Sequence, residues 1–207
     1  TSFRHVGVFP EQAAHWLWMA DRVKQLTKSL GRPPKILNLF GYTGLASLVA
    51  ARAGAEVTHV DASKKAIGWA RENQQLAKME NTPIRWICDD AVKFVLREGR
   101  RCSLYDGILL DPPKYGRGPK GEVWQFFDQV ADMLMAVEAI TARRSAFVVL
   151  TSYAVRASFF SMHELMQEVF ADRGGELHSG ELILREEAAG RALSTSLFSR
   201  WIGKTDG

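Results

Sequence analysis

The sequence predicts an α/β domain built on a largely parallel sheet, and three observations carry that expectation. From Lys35 onward, short apolar runs alternate with helix-periodic stretches. A turn bearing Gly41 and Gly44 joins the first apolar run to the first of those stretches. Acidic residues close the runs at Asp61, Asp89–Asp90 and Asp111, where a parallel sheet presents its carboxyl edge to a ligand.

Taken in order, residues 10–30 read as a helix with a Trp/Leu/Met face, ended by Gly31 and the Pro33–Pro34 pair. Strands are expected at 35–40, 56–60, 84–88, 105–110 and 146–151, with helices at 43–53, 63–78, 91–98 and 123–141 between them. Ser63 stands where a helix N-cap belongs, and Gly54 where a helix should end. A helix at 159–170 stops before Gly174–Gly175. Runs at 176–184 and 194–202 follow with no helix between them, which predicts an antiparallel hairpin at the sheet edge. Trp16, Trp18 and Trp69 sit at helical positions that suit core packing.

Composition narrows the class. A chain of 207 residues, 46% apolar and 24% charged, is the size and make-up of about one globular domain. No apolar run approaches the ~20 residues of a membrane helix. Cys88 and Cys102 have neither metal-ligand spacing nor the numbers for a disulfide framework, so a reducing, cytoplasmic setting and no metal are expected. A net charge of +4 tolerates a polyanionic partner without requiring one. Residues 1–12 lack Met and enter the pattern abruptly, as a domain cut from a longer chain would.

The first chemical motif spans residues 37–63. A strand enters the turn Phe40-Gly41-Tyr42-Thr43-Gly44, a helix opens, and Asp61-Ala62-Ser63 closes the next strand. The glycines let the backbone bend sharply and approach a ligand, and an acid at Asp61's distance suits the ribose hydroxyls of an adenosine cofactor. A nicotinamide or flavin site wants G-x-G-x-x-G, but Thr43 holds the middle glycine's place. With no pyrophosphate to accommodate, an adenosine cofactor bearing an amino acid fits better. Next, Asp89-Asp90-Ala91 follows the third strand, where one acid can accept the adenine amino group or simply cap the helix.

The third motif is Asp111-Pro112-Pro113-Lys114-Tyr115. Asp111 ends a buried-type strand. The two prolines hold the chain extended with carbonyls available as acceptors, and Lys114 and Tyr115 supply a cation and an aromatic face. A planar base can stack on Tyr115 while its polar edge meets Asp111. The stretch 116–121, with Arg117 and Lys120, reads as a flexible basic loop suited to phosphate.

In this order and spacing the motifs FGYTG, VDAS, DDA and DPPKY resemble the class I S-adenosylmethionine-dependent methyltransferases related to the large-subunit ribosomal RNA methyltransferases I and K/L. The resemblance covers about Phe9 to Trp201. It implies a Rossmann-like sheet of five parallel strands plus the C-terminal hairpin, with helices on both faces. It also implies S-adenosylmethionine as cofactor and RNA, ribosomal RNA above all, as partner. Family members carry an F-x-D-Q segment that closes over the cofactor. Here Phe9-Pro10-Glu11-Gln12 matches it, which places Phe9 and Gln12 at the methionine end and makes residues 1–34 a cover on a catalytic domain of 35–207.

Which atom receives the methyl turns on cysteine. Carbon-5 methylation of cytosine needs a thiolate, which relatives carry just after the fifth strand. That place reads Thr151-Ser152-Tyr153-Ala154, and Cys88 is expected to be a small buried hydrophobe. Direct transfer to nitrogen, with Asp111 and the Pro112 carbonyl accepting from an amino group, is therefore favoured. A cytosine carbon-5 enzyme, or one methylating a protein amide or small molecule, remains the alternative. Lys114, Arg117 and Lys120, with Arg97, Arg100 and Arg101, tilt the choice toward RNA.

Overall fold

The computed structural model describes residues 7–153 and 156–204. The expectations for residues 1–6, Ala154 and residues 205–207 lie outside them. A 3-10 turn, Pro10–Gln12, leads into α1 (Ala13–Leu30), closed by Gly31 in the left-handed region. Then follow β1 (Lys35–Leu39), α2 (Leu45–Arg52), β2 (Glu56–Asp61), α3 (Lys64–Leu76), β3 (Ile84–Cys88), α4 (Ala91–Arg100) and β4 (Gly107–Leu110). The chain continues through β5 (Tyr115–Arg117), β6 (Val123–Gln125), α5 (Phe126–Ala139), β7 (Phe147–Tyr153), α6 (Phe159–Val169), β8 (Glu176–Arg185) and β9 (Ala192–Ile202).

Among the described residues, seven strands form one sheet in the order β3-β2-β1-β4-β7-β9-β8. The first five are parallel, and β9 and β8 add the expected hairpin antiparallel at the edge. Strand periodicity of two divides the core between the faces. Leu37, Leu39, Ile108, Leu110, Val148 and Leu150 pack under α4, α5 and α6. Ile36, Leu109, Phe147 and Val149 pack under α1 and α2. The strand order reverses between β1 and β4, the switch point at which open α/β sheets bind ligands.

Four expectations change. The helix expected at 123–141 begins at Phe126, because Val123, Trp124 and Gln125 pair instead with Arg117, Gly116 and Tyr115. The basic loop is thus a small β-hairpin, its Trp124 ring buried 5.1 Å from Phe40. Cys88 is exposed rather than a core hydrophobe, since β3 is an edge strand of the sheet. Of the tryptophans at helical positions, Trp18 packs on the core as expected, edge-on to Phe147, whereas Trp16 and Trp69 are only half-buried and Trp69 stands against Tyr42.

Gly41 and Gly44 serve packing beneath the turn as well as the bend itself. A Cβ on Gly41 would overlap the His59 ring; one on Gly44, at φ 80°, would sit 2.9 Å from Ala70 and Trp86. Asn38 donates to the Ser47 hydroxyl, which lies 2.9 Å from His59 Nδ1 and fixes the ring in place. Burial pulls His59 down to about 3 and keeps it neutral. Gly41→Ala must therefore push against a pinned ring. It is expected to cost about 1–3 kcal/mol, lowering Tm by roughly 2–4 °C per kcal/mol, as thermal melting would measure.

Candidate active site

A cavity of about 400 Å³ opens at the carboxyl edge of the sheet around the switch point. One wall comes from the tips of β1, β2 and β3: Phe40 and Tyr42, then Asp61-Ala62-Ser63, then Asp90-Ala91. The other wall carries Asp111, Pro113 and Tyr115, with Phe9 and Gln12 from the N-terminal turn. A smaller recess of about 80 Å³ continues from it past Gln12 and Asp111, where Gly41 and Thr43 lie.

The turn after β1 is held by its neighbours. Phe40 and Tyr42 both have positive φ, 58° and 50°, an uncommon backbone state for bulky residues and one met at functional sites. Tyr42 N–H donates to Asp61 Oδ2 at 2.9 Å, and Ser63 N–H to Asp61 Oδ1 at 2.8 Å. Burial raises the Asp61 carboxyl, and those two backbone donors pull it back toward ionisation. Each carboxylate oxygen keeps a second lone pair. Ser63 caps α3 by accepting from Ala66 N–H.

The adjacent acids at the tip of β3 differ in placement. Asp90 faces the cavity and caps α4, its Oδ1 accepting from Lys93 N–H at 2.9 Å. Asp89 is not on the cavity wall; its Oδ2 is paired with Arg97 at 2.7 Å. Only Asp90 of the pair both caps the helix and lines the cavity, because α4 starts at Ala91 and Asp89 is held by Arg97 on the helix flank.

Asp111 lies at the tip of β4, and Gln12 donates to its Oδ2 at 3.2 Å. Burial, with the Glu11 carboxylate nearby, pushes Asp111 up to about 7. Pro112 is buried and does not line the cavity, and the Pro113 carbonyl accepts from Trp124 Nε1 at 2.7 Å. The expected pair of outward carbonyls therefore reduces to Asp111 as the polar acceptor there. Tyr115, 52% exposed, and Arg117 reach the cavity from the hairpin. Lys114 and Lys120 are exposed and lie off it, as does Gly44. Arg97 and Arg101 are ion-paired with Asp89 and Glu98, which removes two of the cations assigned to RNA.

Sequence reading gave no site role to Glu11, Trp124, Tyr153 and Ser196, which also line the wall. The first three sit within or beside recognised stretches; Ser196 carried no signal at all. Neither cysteine lines the cavity, and Cys102 lies in a separate groove with Lys35 and Glu56 at the amino edge. Among the described residues there is no group of three or more His, Cys, Asp or Glu that could hold a metal ion, and no helix long and apolar enough to cross a membrane.

Comparison with known proteins bears on the fold and the family. The chain is 61% identical to a SAM-dependent methyltransferase from Agrobacterium tumefaciens, with TM-score 0.94, over 99% of this chain and 66% of that one. It shares its fold with magnesium protoporphyrin IX methyltransferase from Synechocystis, solved with bound SAM, at TM-score 0.60 and 15% identity over 93% of this chain and 81% of that one. It is 38% identical over 97 residues to ribosomal RNA large subunit methyltransferase K/L of Shewanella baltica, covering 46% of this chain and 13% of the relative. The Syntrophotalea carbinolica protein of the same name is 34% identical over 91 residues, 44% of this chain and 12% of its own. The matched stretch thus spans only a small part of those relatives. A family profile described as conserved hypothetical protein 95 matches residues 19–146. The fold is that of the class I methyltransferases, and the chain belongs to the family described as conserved hypothetical protein 95.

Proposed function

We propose that this chain carries the catalytic domain of an S-adenosylmethionine-dependent methyltransferase that modifies a base of RNA, ribosomal RNA in particular, at nitrogen. The carrying observation is that Asp61 and Asp111, from strand tips on either side of β1, face one cavity at the switch point. Its volume of about 400 Å³ suits a nucleoside-sized ligand.

The residues present fit the cofactor. Asp61 has the lone pairs to accept from two ribose hydroxyls, and its backbone partners hold it in place. Ala62 and Ala91 would offer apolar surface to an adenine, and Asp90 could accept from its amino group. Phe9, Gln12 and the turn 40–43 would hold the methionine end, so that residues 7–34 act as a cover over the catalytic domain. When bound, the cofactor supplies an electrophilic methyl on a positively charged sulfonium.

The chain's own part is orientation and proton handling. Gln12 anchors Asp111 Oδ2, which leaves Oδ1 to accept from the target's amino N–H and aim its lone pair. Held near 7, Asp111 can take a proton at neutral pH and release it to solvent afterward. Carbon-5 chemistry lacks support because no thiol lines the cavity. The protein-amide alternative shares the Asp-Pro-Pro motif, but the exposed Tyr115 ring and Arg117 favour a planar base beside a phosphate. A cytoplasmic location accords with that substrate.

Incubating the chain with tritiated-methyl S-adenosylmethionine and bulk RNA is expected to label RNA, and nucleoside mass spectrometry to find an N-methyl base. A 5-methylcytosine product, or label in protein alone, would overturn the assignment. RNA affinity should fall with salt at a log–log slope of roughly −0.7 per single-strand phosphate contacted; a flat dependence would speak for a small-molecule or protein substrate.

A further inference from the structure

Two cavity residues remain without a role, and they come from strands far apart in the chain. Tyr153 is the last residue of β7, and Ser196 lies directly opposite it in the antiparallel register with β9. Side chains opposed in this way share a face and stand close together. Leu110 of β4 pairs with Leu150 of β7, so Asp111 is level with Thr151. Tyr153 therefore projects two residues farther outward, roughly 6–7 Å at the usual rise. Tyr153 has the parity of Val149, and Asp111 that of Leu109. Val149 and Leu109 pack against α1, so both cavity residues belong to the α1 face.

Each has an unspent recognition feature. The Tyr153 ring is 38% exposed, lines the cavity and leans on Phe9 at 6.4 Å. Ser196 is 95% buried, being 5% exposed, and its Oγ has no hydrogen-bond partner among the described residues. Its neighbours on β9 are satisfied: Thr195 donates to the Leu182 carbonyl, and Ser199 pairs with Ser179 at 2.9 Å. Ser152 Oγ also lacks a partner, but it projects on the opposite face and does not line the cavity. A buried hydroxyl left unpaired is costly, and for Ser196 the cavity is where a partner can enter.

We propose that Tyr153 and Ser196 form the specificity-determining wall for an unpaired nucleobase, the Tyr153 ring stacking on the base and the Ser196 hydroxyl hydrogen-bonding its polar edge. This deepens the methyltransferase reading and rests on it. Asp111 meets the amino group that accepts the methyl. Ser196 reads a second polar atom of the same ring, which a lone amide side chain does not offer together with a stacking face. The C-terminal hairpin is then part of the substrate site rather than a simple sheet edge.

The test uses the full chain saturated with S-adenosylhomocysteine and titrated with single-stranded oligoribonucleotides of A, C, G and U, read by intrinsic fluorescence. Wild type is expected to prefer one homopolymer. Tyr153→Ala should weaken that binding about tenfold, within the range for loss of one base–aromatic stack, while Tyr153→Phe binds as wild type. Ser196→Ala should shrink the preference among the homopolymers about fivefold or more. Cofactor affinity, measured by calorimetry, should stay within about twofold in all three variants, which also reports that they fold. The proposal is overturned if variants with intact cofactor affinity bind the homopolymers as wild type does. It is equally overturned if wild type binds none of them, or if a glutamine peptide shows the sensitivity predicted for RNA. Failure of wild type to bind the cofactor is a different result, and defeats the underlying methyltransferase reading itself.

Discussion

Asp61→Ala is expected to weaken S-adenosylmethionine binding by about 100-fold or more. Charge-assisted hydrogen bonds contribute about 1.5–3 kcal/mol each, and Asp61 is positioned to offer two to a ribose diol. The same substitution removes the acceptor for Tyr42 N–H and Ser63 N–H, the two contacts that hold the turn and the start of α3. Tyr42 sits at φ 50°, so the turn has reason to relax once that contact is gone. Asp61→Asn should be nearly as damaging, because its amide NH₂ must face one of the two backbone donors. Calorimetric titration of wild type and variant with S-adenosylmethionine and with NAD decides the matter. Retention of full affinity in Asp61→Ala would remove the ribose assignment. Binding of NAD in place of S-adenosylmethionine would overturn the cofactor reading that Thr43 supports within the glycine turn.

Asp111→Asn is expected to lower methyl transfer at pH 8 by about 10²–10³-fold, the contribution typical of a positioned proton acceptor. Cofactor affinity should change little. Wild-type activity should rise with pH through about 7 as the carboxyl ionises, and the variant should lose that dependence. Stability should move the other way. Burial raises the folded-state pKa of Asp111 above its unfolded value, so its stabilising contribution is full below the ordinary carboxylate range. That contribution is lost as pH climbs to about 7. Asp111→Asn has no charge to bury, so its melting temperature should gain on wild type across that window and keep the gain above it. Melting curves at pH 5 and pH 8 test this: an equal difference at both pH values would mean that Asp111 is not held as a strained, buried acid. Stability gained where activity is lost is the pattern expected of a residue kept for chemistry.

Much of this architecture was legible along the chain because it depends on neighbours in sequence. Alternation at Ile36, Leu37, Asn38 and Leu39 sets which side chains enter which core. Ser63 and Gly31 mark a helix start and a helix end through local hydrogen bonding and a left-handed backbone. The spacing of Gly41, Gly44, Asp61 and Asp111 located the carboxyl edge and the kind of ligand to expect there.

Tertiary structure decided what adjacent or distant residues do with the same chemistry. Asp89 and Asp90 are alike in sequence, yet the start of α4 sends one to Arg97 and the other to the cavity. The hairpin of residues 115–125 looked partly helical and partly flexible. Pairing across it, with Trp124 buried beside Phe40, outweighed the local helical pattern. Tyr153 and Ser196 meet only through the register between β7 and β9, which no periodicity along either strand encodes. Local spacing specifies elements and the residues at their ends, because backbone geometry there is a nearest-neighbour property. Which side chains share a cavity depends on strand order and register, and these are set by long-range burial of both sheet faces at once.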